Sequence, residues 1–252
     1  MKWKVGIICA GDTELEPFLP HIQDCRTSER AMLKFYEGKI GAVEVVALYS
    51  GVCKVNAAVA VQLLIDRYGV NAVINAGTAG GMDDTVQLFD TVISEKAAYY
   101  DVADDILTEF HPWLPTLYFD ADPVLLAAAR SVCQKTDARI LFGRMVTGET
   151  FIADAFRTEI NEKFAPLSVD METASVAHVC YVNQVPFIAI RTITDTAVQS
   201  GIENFDQNCE AAAKIAKHIV LLLLEELDAQ QKRGQHDSEK DCTHSEAHKE
   251  NV

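Results

Sequence analysis

The chain has 252 residues, 49% of them apolar, and a formal net charge of -15 at pH 7. That length suits one large α/β domain with a substantial core, and the acidic excess excludes a nucleic-acid partner, because binding a phosphate backbone takes a basic stripe that displaces counterions. Seven scattered cysteines with no CxxC pair argue against a disulfide framework and fit a reducing cytoplasm.

In chain order, MKWKVGIICAG lacks the long apolar segment and small-residue cleavage site of a secretory leader. Val5 to Ala10 reads instead as a first strand, followed by a turn at Gly11-Asp12 and a helix from about Glu14. Residues 33 to 39 and 43 to 50 alternate around Gly41 and read as a hairpin. Val55 to Tyr68 has helical periodicity, and VNAVINAG then gives a buried strand expected to end in a glycine-rich turn, GTAGG. Another strand covers about Asp90 to Ala97. Residues 99 to 118 hold prolines and aromatics without a period, as a lid, binding loop or subunit contact does.

Asp122 is placed to cap a helix that starts at Pro123. The strand ARILFGRMVTG, a helix from about Ala153 to Phe164, the short strand LSVD, a helix from near Glu172, the strand VPFIAIRTITD and a final helix from Phe205 to Leu227 complete the pattern. Strands alternating with helices imply a mainly parallel sheet with helices on its faces. The longest aliphatic run, Ile219 to Leu224, is far below the ~20 residues of a membrane span. Past Ala229 no apolar residue can anchor the chain in a core, so residues 1–228 are expected to form one domain and 229–252 a disordered polar tail. In that tail His236, Cys242, His244 and His248 match no compact metal-ligand spacing, and no metal is expected.

Ligands of open α/β sheets collect beyond the carboxyl ends of the strands. The residues there are Glu14, Thr78, Phe151, Ile152, Met171, Glu172, Arg191, Thr194 and Asp195. Taken singly, Thr78 reads as closing a turn, Asp195 as a cap, and Glu14 as a helix-dipole partner. Arg191 is different, because its strand is flanked by Phe187, Ile188, Ile190 and Ile193, and a guanidinium in an interior strand needs an acid partner. The pair Asp170 and Glu172 stands around Met171 where an apolar run turns into a helix.

The strings VINAGTAGG, VTGETFI, VDMETASVAHVC and PFIAIRTITDTA, in this order and spacing, resemble the purine nucleoside phosphorylase/uridine phosphorylase superfamily over roughly residues 4 to 227. Within it the chain most resembles the 5′-methylthioadenosine/S-adenosylhomocysteine nucleosidases. The resemblance implies a single-domain three-layer α/β/α fold around a central mixed, mainly parallel twisted sheet. It also implies hydrolysis of the N-ribosidic bond of a 5′-thioadenosine with no cofactor. By the same resemblance, Asp195 is the general acid toward N7 of adenine, Glu14 orients and deprotonates water, and Thr78, where these enzymes commonly have serine, bonds near that water. Glu172 grips the ribose hydroxyls with Met171 along the sugar, Arg191 holds a carboxylate of the site, and Asp170 supports it.

Phe151 would stack on adenine, Ile152 would meet the base edge through its backbone, and Thr194 would adjoin the base. Val52, Met171 and Phe205 would receive the alkylthio group, closed by residues of a partner subunit in a homodimer. Two departures bear on that 5′ pocket: Gly11 replaces a bulkier residue, and Asp104 and Asp105 stand near the expected apolar lid. A glycine-rich loop such as AGTAGG could also cradle phosphate, but in AGDTELEP an acid stands where a phosphate site wants a base, which favours water over phosphate as nucleophile. The alternatives are a phosphorylase or another nucleosidase of the superfamily, such as a futalosine hydrolase, and a non-catalytic nucleoside sensor.

Overall fold

The computed structural model of the chain describes residues 2–152, 154–197 and 202–247. β1 (Lys4–Cys9) leads into a single helical turn, α1 (Asp12–Leu15), and a 3₁₀ segment, Glu16–His21. β2 (Gln23–Arg30), β3 (Leu33–Ile40) and β4 (Val43–Tyr49) form an antiparallel meander whose last strand pairs in parallel with β1. The expected hairpin is β3 and β4. β2 escaped the sequence pattern because all eight of its residues are exposed, so no apolar alternation marks it. Its charged residues suit a sheet edge that must not recruit another strand.

α2 (Lys54–Tyr68) ends on Gly69 in the left-handed region (φ 63°), and β5 (Ala72–Gly81) follows. Here the structure corrects the sequence reading: the GTAGG segment is the second half of β5 and not a turn. It remains extended because β10 (Phe187–Asp195) pairs beside it through Thr192 opposite Thr78 and Asp195 opposite Gly80. β6 (Thr91–Tyr99), a turn α3 (Ile106–Glu109), the two-residue β7 (Phe119–Asp120), α4 (Pro123–Val132) and β8 (Ile140–Thr147) come next. As expected, Asp122 caps α4, its Oδ1 accepting from the amides of Val124 at 2.9 Å and Leu125 at 3.0 Å. α5 (Asp154–Phe164), β9 (Ser168–Asp170) and α6 (Thr173–Asn183) precede β10. Ala153, expected to begin α5, lies outside the described residues.

α7 runs Ile202–Ala247, well past the expected end at Leu227. The stretch after Ala229 was expected to be irregular; as far as Ala247 its backbone continues the helix, while residues 248–252 lie outside the described residues.

The sheet is mixed and follows the order β10-β6-β8-β9-β5-β1-β4-β3-β2, and a further β10–β5 pairing closes five of these strands into a ring. Alternate residues of the central strands face opposite ways. Val5, Ile7, Val45, Ala72 and Ile74 pack with α4 and α7, whereas Ile8, Val46, Leu48 and Val73 pack with α2 and α6. That is the expected three-layer arrangement, with a third cluster of Val146, Ile160 and Phe164 beneath α5. Along one edge of β5, β1 pairs as far as Asn75, and β9 takes over at Gly80 and Gly81. The gap between them, where one strand has left and the next has not begun, is where the cavity forms.

Candidate active site

A cavity of about 450 Å³ opens at that gap, lined by Glu14, Val52, Thr78, Phe151, Ile152, Met171, Glu172, Thr194, Asp195 and Phe205 from seven separate parts of the chain. Arg191 does not line it; the side chain lies behind the wall, fully buried. Thr78 lies within β5, and Arg191, Thr194 and Asp195 within β10, so two of the strands forming the site carry functional side chains inside their ladders.

Glu14 is buried, and its carboxylate is surrounded by donors. Oε2 accepts from the amides of Ala10 (2.7 Å) and Gly11 (3.2 Å), and Oε1 from the amide (2.7 Å) and hydroxyl (2.8 Å) of Thr78. Gly77 makes this possible. At φ 152° it occupies a conformation that suits glycine, and a Cβ there would stand 2.4 Å from Oε1 of Glu14.

Arg191 organises the opposite side. Its Nε lies 3.1 Å from Oδ2 of Asp170, its Nη2 3.0 Å from Oε2 of Glu172, and its Nη1 3.7 Å from Oε1 of Glu14. Nη1 makes no hydrogen bond. One buried cation therefore serves three buried carboxylates, and together they hold the guanidinium proton well above its usual range despite burial. Asp170 is bonded on all sides: the hydroxyls of Thr147 (2.6 Å) and Thr173 and the amides of Glu172 (3.2 Å) and Thr173 (3.0 Å) donate to it. It braces β8, β9 and the start of α6, so Glu172 leaves that helix at a set angle. The other oxygen of Glu172 accepts the amide of Cys53 at 2.9 Å. Burial pushes the Glu172 carboxyl up to about 7, with Arg191 pulling the other way and Asp170 adding to the rise.

Asp195 ends β10 and packs against the bare backbone of Gly80, where a Cβ would lie 3.1 Å from its Oδ2. The Thr194 hydroxyl donates to Oδ1 at 2.9 Å. Burial raises the Asp195 carboxyl, against the smaller opposing effects of that bond and of the Arg157 charge. The cavity thus offers a carboxyl raised by burial, a donor-saturated carboxylate and a third acid.

Several lining residues were not evident from the sequence, among them Asp12, Thr13, Asp206 and Cys209. Phe205, Asp206 and Cys209 share one face of α7 through i, i+1 and i+4 spacing, a signal that the periodicity held once Phe205 was placed. Gly11 also lines the cavity, and a Cβ there would meet nothing within 4 Å. Asp104 is exposed and pairs with Lys163, while Asp105 precedes α3; neither lines the cavity. Among the described residues no group of three or more His, Cys, Asp and Glu is arranged to hold a metal. The side chains of His236, Cys242, His244 and His248 lie outside the described residues.

Residues 4–225 match the family described as the Phosphorylase superfamily. A 5′-methylthioadenosine/S-adenosylhomocysteine nucleosidase of Pseudoalteromonas translucida is 35% identical over 89% of this chain and 98% of its own. One of the same name from Listeria welshimeri is 35% identical over 87% of this chain and 98% of its own. Among solved structures, the nucleosidase of that name from Colwellia psychrerythraea, in complex with adenine, superposes with a TM-score of 0.83 at 31% identity, covering 90% of this chain and 96% of that one.

Proposed function

The chain belongs to the phosphorylase superfamily and, within it, to the 5′-methylthioadenosine/S-adenosylhomocysteine nucleosidases, and from that membership we infer a purine nucleosidase that hydrolyses the N-ribosidic bond of 5′-methylthioadenosine and S-adenosylhomocysteine to adenine and the 5′-thioribose. The observation that carries hydrolysis over phosphorolysis is the state of the donors around Glu14. The amides of Ala10, Gly11 and Thr78 and the Thr78 hydroxyl, which could have cradled a phosphate, all point at the chain's own carboxylate. An incoming dianion would find these donors taken and a negative charge beside it. A water molecule meets neither obstacle.

In this reading the bond between C1′ and N9 breaks with its electron pair moving to the base, and Asp195 passes its proton to N7. Water adds to C1′ from the Glu14 side, and Glu14 accepts the released proton. As the sugar becomes cationic, ionised Glu172 stabilises it more than it stabilises the neutral nucleoside, and that difference lowers the barrier. Arg191 and Asp170 hold Glu172 in place. Phe151 and Ile152 take the base with Thr194 beside it, and Val52, Met171 and Phe205 take the 5′ substituent.

The reading extends to a homodimer in a reducing cytoplasm. Support for the dimer comes from apolar side chains left exposed on the α2 and α6 side: Val52, Val55, Val59, Phe110, Trp113 and Tyr181, with Val55 at 73% and Trp113 at 64% exposure. Residues 1–228 are read as the catalytic domain and 229–252 as an appendage, since among the described residues the core cluster ends at Leu227.

The test is release of free adenine from methylthioadenosine with and without inorganic phosphate. Phosphate-independent release is expected, lost by about 100-fold or more in Glu14→Gln and in Asp195→Asn with the fold intact by circular dichroism. Phosphate-dependent turnover yielding a sugar 1-phosphate would refute hydrolysis.

A further inference from the structure

Arg157 has no place in the reaction as derived so far. It projects from α5 into the protein and is 8% exposed. One Nη1 hydrogen donates to the carbonyl oxygen of Gly81, the same nitrogen lies 3.4 Å from the Met82 sulfur, and Nε has no hydrogen-bond partner. Among the described residues no carboxylate makes an ion pair with it. A guanidinium buried in this way is costly to keep unless its charge acts on something nearby.

Asp195 is seated against the same end of β5. Asp195 pairs with Gly80 in the ladder, its Oδ2 lies against Gly80, and its backbone oxygen lies 3.3 Å from where a Cβ on Gly81 would be. The two glycines are therefore the shared wall. Asp195 packs on one side of it, and Arg157 is anchored to its Gly81 carbonyl, with protein and not water around the guanidinium. In such surroundings a unit charge is felt much more strongly than through solvent. Its effect on Asp195 runs opposite to that of burial.

We propose that Arg157 is a positioning residue for leaving-group protonation: its fixed positive charge, anchored at the Gly81 carbonyl next to the Gly80 seat of Asp195, stabilises the carboxylate that Asp195 becomes once its proton has passed to the base. The step is a proton transfer from the Asp195 carboxyl to the base nitrogen, with no change of oxidation state. This deepens the nucleosidase reading and rests on it. The other ionisable groups at the cavity are Glu14, Asp170 and Glu172 with Arg191 behind them, and Asp12, Asp206 and Cys209 from α1 and α7. None of these shares the Gly81 wall.

The test compares Arg157→Met and Arg157→Lys by the pH dependence of adenine release from methylthioadenosine. In Arg157→Met the alkaline limb, where Asp195 loses its proton, is expected to move up by about one pH unit, and kcat to fall about tenfold with KM little changed. Arg157→Lys keeps a cation and is expected to keep the limb where the wild type has it, even if its rate is lower. If Arg157→Met does not fold, the same limb is read in Arg157→Gln. An active wild type whose limb stays in place in the neutral variants, or moves equally in Arg157→Lys, overturns the proposal alone. A wild type that releases no adenine overturns the hydrolase reading with it.

Discussion

Arg191 is the residue on which the acids of this site depend. It is the cation that makes ion pairs with Glu14, Asp170 and Glu172, and without it three carboxylates would be left in a buried place at a cost of about 3–5 kcal/mol. Burial raises both carboxyls, Glu172 to about 7 and Asp195 above its usual range, and the reaction as read needs Glu172 ionised and Asp195 protonated. The kcat/KM profile should therefore be bell-shaped. On the acid side it falls as pH drops below about 7, because Glu172 takes up a proton and loses its charge toward the sugar. A profile flat down to pH 4 would show that Glu172 is not required ionised. Cys53 is a second residue under constraint: at φ 81° and ψ 164° it holds a conformation that is nearly glycine-only, and it does so while its amide donates to Glu172. Burial, followed by Glu149, pushes its thiol up to about 11, so it stays protonated and is no nucleophile at neutral pH. Cys53→Gly is expected to stabilise the protein by about 1 kcal/mol in thermal unfolding with kcat unchanged. A loss of stability would mean that thiol packing outweighs the strain.

At the scale of elements, β5 does the most to assemble the site. It pairs with β1, β10 and β9 in turn, and its glycines let side chains of other elements come against its backbone. Gly77 leaves room for Glu14, and Gly80 for Asp195. Gly77→Ala puts a methyl group into the space of the Glu14 carboxylate, so adenine release is expected to fall about 100-fold or more, with a stability loss of about 1–3 kcal/mol. Activity equal to wild type would mean that Glu14 does not need its present seat. The helices were easier to place from sequence than this strand. α2 and α4 carry their own periodicity and end signals, Asp122 among them. The glycine run carried a turn signal, and pairing with β10 along its length and with β9 at Gly80 and Gly81 overrode it.

At the scale of the molecule, the open question is what covers the apolar face beside the cavity mouth. Phe110 and Trp113 are more than half exposed although Leu107 and Leu114 of the same loop pack into the α2–α6 core, so the loop is anchored while its aromatics face outward. Residues of this kind cover a subunit contact. Under the proposed homodimer, Trp113→Asp is expected to shift sedimentation from dimer to monomer and to reduce kcat/KM by about tenfold or more, since the loss of one central aromatic anchor costs at least about 2 kcal/mol. A wild type that sediments as a monomer would overturn the dimer, and an unchanged dimer in Trp113→Asp would show that this face is not the contact.

The sequence by itself determined most strands and helices in their order, β2 and the second half of β5 excepted, and the interior position of Arg191. These follow from local periodicity and from the rule that a charge in an apolar strand requires partners, whereas the acids assigned to the reaction were implied by the family resemblance. Only the tertiary structure decided that Arg191 has three acidic partners and not one, that Glu14 takes four donors from Ala10, Gly11 and Thr78, and that Arg157 is anchored at the Gly81 carbonyl. Each of these is a contact between residues remote in the chain: Glu14 meets Thr78, Glu172 meets Cys53, and Arg157 meets Gly81. Nothing in local composition encodes such distances, which are set by the pairing of strands and by the glycines that let one segment come close to another.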